Sequence, residues 1–419
     1  MVVCVKKTRH SLTVALLSVA LTSSAVAPAN AALQLPTFQG AVTGATVGPK
    51  PVQHDGAPTP EPFTPDYIGP YISDISSHPL GIYLDVVDTW YDIKHNHPET
   101  MRENDAAVVD INNNASPERI ASAQEDALAA KNSVIKTTSN ALGDEAGAAF
   151  RAALDEHRLP KTEYLLGDGY LARAGGLASS TGAEKYIFGE KRPFQNMPDQ
   201  IKKYPLPDED LYGTSPAFPS GHTNQATWIT TLEAVLMPEF GEQLLARGSE
   251  SGESRLVLGV HYPLDVIGGR MTGTAAAADR WNDPRMRDAL QQAGDEIRAE
   301  LQWRTGKSME QLASEAGQYR SNADALADYS RRQDYGFSKI YNKSNPMVVP
   351  EQAPDLLSTK FPDLTKEQRR QVLEQTADPA GSPLDDQRVG HASWERINLA
   401  AAFAAKVTVN ADGSVTVNK

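Results

Sequence analysis

A chain of 419 residues, with 40% hydrophobic and 22% charged residues, is long enough to bury a sizeable core in one large domain or two ordinary ones. Its net charge of −13 argues against a nucleic-acid-binding protein, which usually presents a basic face, while leaving room for a local basic pocket.

The first 31 residues read as a secretory signal. Lys6, Lys7 and Arg9 precede an apolar run from Leu12 to Val26 and the small-residue stretch Ala29–Ala31. That layout predicts cleavage after Ala31 and a secreted, periplasmic or cell-envelope protein. The apolar run is shorter than the ~20 residues that a spanning helix needs. Removal of the segment takes away three cations, moving the net charge from −13 to −16, and with them Cys4, the one cysteine. The mature chain then has no disulfide, no Cys-ligated zinc and no thiol nucleophile. No later stretch is apolar for long enough to predict an integral membrane span.

Residues 32–79 are rich in Pro, Gly and Thr and read as an extended lead-in. From residue 80 to 335 the patterns are helical. "PLGIYLDVVDTWYDI" predicts a first packed helix. Ser116 and Pro117 open a second, with Ile120, Ala123, Ala127 and Val134 near one face. Further helices are predicted around 144–156, 161–173, 221–237, 263–278, 283–302, 308–315 and 321–332. Beta-type alternation is scarce, so the fold class is all-α. Residues 336–419 form a C-terminal extension: a linker, a short helix capped by Thr365 and Gln368, a helix over "SWERINLAAAFAAKV", and a terminal β-hairpin around "NADG". Its role is open between covering the core, mediating oligomer contacts and forming a small separate unit.

The chemistry begins at "FPSGH". Ser220 suits a helix N-cap, and Gly221 lets the backbone come close to a ligand. A helix starting there would aim the N–H groups of Gly221 and His222 at an anion, above all a phosphate. Upstream, "KYIFGEKRP" supplies Lys185 and Arg192. Downstream, "SRLVLGVHYPLD" supplies Ser254, Arg255, His261 and Asp265. Arg192 and Arg255 can each grip two phosphate oxygens through a planar fork, Lys185 adds a point charge, and Ser220 and Gly221 add neutral donors. Pro263 predicts a helix start just after His261, which places Asp265 in the first turn. There its carboxylate can accept the Nδ1–H of His261 and leave Nε2 as the free lone pair of a nucleophile. His222 has no carboxylate at that spacing and suits the general acid.

These three stretches match Lys-x6-Arg-Pro, Pro-Ser-Gly-His and Ser-Arg-x5-His-x3-Asp at every defined position and in order. The chain thereby resembles the PAP2 superfamily, which joins type 2 phosphatidic acid phosphatases, bacterial class A nonspecific acid phosphatases and vanadium haloperoxidases. The flanks "PSGHT" and "GESR" look most like the soluble bacterial acid phosphatases. The resemblance implies a PAP2/haloperoxidase-like helical bundle over residues 80–335. It also implies a phosphohistidine at His261 that water then hydrolyses, with small phosphomonoesters as substrates. No metal and no cofactor is expected, vanadate should inhibit, and oligomer formation is open. The alternatives within the superfamily are a vanadate-dependent haloperoxidase and a lipid-phosphate phosphatase. Asp265 is expected to raise the pKa of His261, and the cations to lower that of His222. His95 and His97 stand two apart, a spacing that can bind metal, but without a clear third ligand they read as surface or structural residues.

Overall fold

Side-chain caps or prolines set most of the helix starts described below. The computed structural model describes residues 49–64, 83–167, 172–175, 181–314 and 317–418. The expected signal segment and much of the lead-in lie outside the described residues. All described residues belong to one compact unit that begins at Gly48.

The first expected helix is split into a single turn at Leu84–Val87 and α1 (Trp90–Asn96). α2 (Pro98–Asn113) follows without having been predicted. Its buried face is Thr100, Asn104, Val108 and Asn112, a helical spacing written mostly in polar residues. Those side chains are anchors: Asn112 Nδ2 donates to the carbonyls of Val257 (2.7 Å) and Lys202 (3.0 Å), and Asn104 Oδ1 accepts from Leu264 N–H (3.0 Å). Ser116 accepts from Arg119 N–H and Pro117 takes the first helical position, opening α3 (Pro117–Asn132). The run expected to continue through Val134 breaks at Ser133, which adopts φ 81°. α4 spans Gly143–Asp155. Of the helix expected over 161–173, residues up to Gly167 are helical, 168–171 lie outside the described residues, and 173–175 form a turn.

Four helices then carry or brace the motifs: α5 (Gly182–Phe188), α6 (Gly221–Leu236), α7 (Gly241–Val257) and α8 (Pro263–Asn282). α6 packs against both α7 and α8 and is buried from Thr223 to Leu236. Glycines make this approach close. A methyl group at Gly269 of α8 would stand 2.5 Å from the Ser220 carbonyl, and one at Gly273 would stand 2.6 Å from the Asn224 carbonyl. Gly248 and Gly252 do the same from α7, against Thr230 and Thr223. Two stripes of i, i+4 glycines thus bring the helix backbones together.

α9 (Pro284–Thr305) and α10 (Asn322–Asp334) complete the helical body. The lead-in residues that are described lie along it: Arg158, fully buried, pairs with Glu300 and donates to the carbonyls of Val52 and Pro58. The C-terminal extension covers the core. Phe337, Leu356, Trp394 and Phe403 share one hydrophobic cluster with Trp228, Ile229 and Ile267. Arg270 of α8 reaches into it to donate to the carbonyls of Glu395 and Gln333. Thr365 and Gln368 cap α11 (Lys366–Thr376) as their spacing predicts, whereas the helix expected over "SWERINLAAAFAAKV" is confined to α12 (Leu399–Ala404). The hairpin pairs β1 (Lys406–Val409) with β2 (Val415–Asn418) in antiparallel register, Val407 opposite Val417. Gln371 and Gln375 of α11 accept the outward N–H groups of Val415 and Val417, so this edge of the sheet is covered. The all-α class holds, with this small sheet and an isolated bridge between Leu206 and Glu209 as its departures among the described residues.

Candidate active site

Two helix N-termini meet at the centre. Ser220 caps α6, its Oγ accepting from the N–H (3.3 Å) and hydroxyl (2.8 Å) of Thr223. Gly221 and His222 are the first two residues of that helix. At the start of α8, Pro263 takes the first position and Asp265 the third. The Asp265 carboxylate accepts from Tyr262 N–H at 2.8 Å, closing the first turn. The termini are tied backbone to backbone, Ser220 N–H donating to the Asp265 carbonyl at 2.9 Å. The glycine stripe at Gly269 is what permits that bond.

His261 is buried between Asp265 and Arg192. Its Nδ1 lies 3.1 Å from Asp265 Oδ2, and its Nε2 lies 3.1 Å from Arg192 Nη1. A guanidinium only donates. Nε2 must therefore carry the lone pair, and the ring proton sits on Nδ1, donated to the carboxylate. Arg192 is itself held: Nη1 donates to the Val260 carbonyl, Nε to the Ser215 carbonyl and Nη2 to Ser215 Oγ. Lys185, on α5, donates to the carbonyls of Pro216 (2.7 Å) and Ala217 (3.0 Å). Arg255, in the last turn of α7, is buried, and its charge acts on Lys185, His222 and His261. The fold thus gathers the eight residues expected to act as catalytic or phosphate-binding groups. Sequence reasoning missed Ser215, Pro216 and Ala217, because a carbonyl that anchors a cation leaves no residue-type signature.

Three cations beside one carboxylate make a surplus of positive charge that suits an anion. Its mark is on every titrating group. Burial, then Arg192, pushes the Lys185 ammonium down to about 7. Burial lifts Asp265 to about 7 against the Tyr262 hydrogen bond and the attraction of Lys185 and Arg192. His222 is held well below the ordinary histidine range by burial, Arg255, Arg192 and Lys185, as expected. His261 is also held well below it, by burial and the same three cations. That corrects the expectation that Asp265 would raise it: the bond from Nδ1 sets the tautomer, while burial and the cations set the basicity.

An anion among these groups favours the charged forms of Lys185, His222 and His261 and the protonated form of Asp265. Every shift is upward, so binding takes up protons. Sulfate, which keeps its charge between pH 8 and pH 6, should bind more tightly as pH falls, by up to about tenfold per pH unit for each proton taken up. Titration calorimetry in buffers of different ionisation enthalpy reads both the affinity and the proton count. Affinity that is flat or weaker at pH 6 would contradict this electrostatic picture.

His97 Nε2 pairs with Asp92 Oδ2 at 3.2 Å, and His95 Nδ1 lies 2.7 Å from the Tyr91 carbonyl. Among the described residues, no group of three or more His, Cys, Asp or Glu side chains is placed to hold a metal, and no helix is long and apolar enough to cross a membrane.

The family described as the PAP2 superfamily matches residues 169–287. The chain is 31% identical over 150 residues to the "Non-specific acid phosphatase" of Providencia stuartii, covering 36% of this chain and 58% of that protein. It is 29% identical over 127 residues to the "Non-specific acid phosphatase" of Salmonella typhi, covering 30% and 50%. To the "Acid phosphatase" of Zymomonas mobilis it is 29% identical over 116 residues, covering 28% and 43%. The chain thus spans about half the length of the curated relatives it matches. It carries a PAP2 superfamily domain over residues 169–287, and all eight residues gathered at the two helix mouths lie inside it.

Proposed function

We propose that this chain is an exported acid phosphatase that hydrolyses small phosphomonoesters through a phosphohistidine at His261. One observation carries the reading: the Nε2 lone pair of His261 is held between a carboxylate that fixes its tautomer and a guanidinium that would grip the phosphate. The similarity to proteins named as acid phosphatases supports it.

The steps follow from the residues. Lys185, Arg192, Arg255, Ser220 and the α6 N-terminus at Gly221 hold the phosphate oxygens and neutralise charge in the transition state. The His261 Nε2 lone pair attacks phosphorus. The bond from phosphorus to the ester oxygen breaks, and that oxygen takes a proton from His222. Asp265 stabilises the positive charge that reaches the ring. Water then attacks phosphorus, His222 takes its proton, and the phosphorus–nitrogen bond breaks to release phosphate and restore both histidines.

A substrate panel on the purified protein tests this, spanning nucleotides, sugar phosphates, phytate, an aryl phosphate and phosphatidate. Release of phosphate from the water-soluble monoesters is expected, surviving exhaustive EDTA treatment and inhibited competitively by vanadate more tightly than by phosphate. Turnover confined to phosphatidate would instead assign a lipid phosphatase. Halide oxidation with added vanadate, without ester hydrolysis, would assign a haloperoxidase.

A further inference from the structure

Ser254 belongs to the third motif, yet it is not used in the steps above. Its hydroxyl donates to Asp126 Oδ2 on α3 at 2.6 Å and accepts from Arg119 Nη1 at 2.9 Å. Asp126 is buried, and Arg247 of α7 grips the same carboxylate through both terminal nitrogens. A carboxylate is costly to bury, and three donors to one such group mark a deliberate pin between α3 and α7. The next residue of α3 is Ala127, whose backbone is hydrogen-bonded to the His222 ring.

The two histidines are therefore held by different partners. His261 has a carboxylate on its far nitrogen. His222 has a backbone carbonyl, and the position four residues on along α6, where Asp265 stands relative to His261, is Ala226. The chemistry of the two partners differs. A carboxylate stabilises an imidazolium and makes it a reluctant donor. A neutral carbonyl fixes the ring's direction and leaves the second proton easier to give away. A carbonyl cannot move independently of its helix, so its aim depends on what holds α3.

We propose that Asp126 and Ser254 are positioning residues for the proton donor: they pin α3 to α7 so that the Ala127 carbonyl holds one ring N–H of His222 and turns the other nitrogen toward the leaving oxygen. The role in turnover rests on the phosphatase reading. The orientation of the ring does not.

The test compares Ser254→Ala, Ser254→Thr and the near-isosteric Asp126→Asn with the parent chain. Turnover is measured on an alkyl and a nitrophenyl phosphate, together with vanadate affinity and the nitrogen NMR shifts of the His222 ring. Ser254→Ala and Asp126→Asn should lose about 10- to 100-fold on the alkyl ester, the scale of a small misplacement of a reacting group, and much less on the nitrophenyl ester. Vanadate affinity should hold, the His222 shifts should move, and Ser254→Thr should restore the alkyl rate. Equal loss on both esters with weakened vanadate binding would mean that Ser254 merely supports Arg255, and the proposal would fall. If the parent chain turns over neither ester, the phosphatase reading fails. The NMR then decides alone: unmoved His222 shifts in Ser254→Ala and Asp126→Asn overturn the positioning role, and displaced shifts uphold it.

Discussion

Replacing His261 by alanine should abolish phosphoryl transfer to the protein for every ester, a loss on the order of 10⁶-fold, the scale seen when a covalent catalyst loses its nucleophile. The reason is geometric. His261 Nε2 is the nitrogen whose lone pair faces Arg192, so the variant has no atom there to form the covalent intermediate. Leaving-group quality should not rescue it, because even a nitrophenolate departs only when something attacks phosphorus. Rapid-quench kinetics with a nitrophenyl ester is the measurement. A product burst surviving in His261→Ala would place the nucleophile elsewhere. Vanadate titration of the same variant gives the control, since Lys185, Arg192 and Arg255 remain and anion binding should persist.

His222→Ala should behave differently. An alkoxide leaves poorly without a proton, so alkyl phosphates should lose roughly 10²–10⁴-fold, the usual benefit of general acid catalysis. A nitrophenolate is stable as an anion, and the burst from a nitrophenyl ester should survive in large part. Hydrolysis of the phosphoenzyme should slow, because His222 also takes the proton of the attacking water. Formation rates reduced equally for both esters would show that His222 serves binding rather than proton transfer. The depressed pKa of His222 adds a pH signature. Burial and the three cations keep the ring neutral in the free protein, so it must gain its proton as the dianionic substrate arrives. The activity of the parent chain should therefore fall as pH rises above neutrality, and that limb should become shallower in His222→Ala for the nitrophenyl ester, the part set by Lys185 and Asp265 remaining.

What spacing reveals and what it hides divide along a physical line. Caps and periodic apolar faces announced α6, α8, α9 and the hairpin, because each is signalled by neighbours in the chain. α2 and α7 went unannounced. α2 buries asparagines that serve other backbones, and α7 buries Arg247, Glu250 and Glu253 in ion pairs and hydrogen bonds with partners far away in sequence. A helix whose core face is polar has no hydrophobic period to read. The site divides in the same way. Lys185, Arg192, Ser220, Gly221, His222, Arg255, His261 and Asp265 stand at fixed intervals in three short stretches. Ser215, Asp126 and Ala127 act through a side chain or carbonyl brought close only by the fold. The histidine basicity was misjudged for a related reason: the Asp265 spacing is visible in the chain, whereas the convergence of three cations on one buried ring is a property of the packed state.

The glycines between α6, α7 and α8 bear on how such a protein can change over generations. At positions 248, 252, 269 and 273 any side chain would press into a neighbouring helix, and at Gly269 the pressure would fall on the carbonyl of Ser220, beside the bond that ties the two helix mouths together. Mutational drift at these sites is closed in a way that drift on an outer helix face is not. A lineage under selection for a new activity has little freedom to reshape α6, α7 and α8 where they touch. On the phosphatase reading, its variation then falls to segments outside these helix contacts.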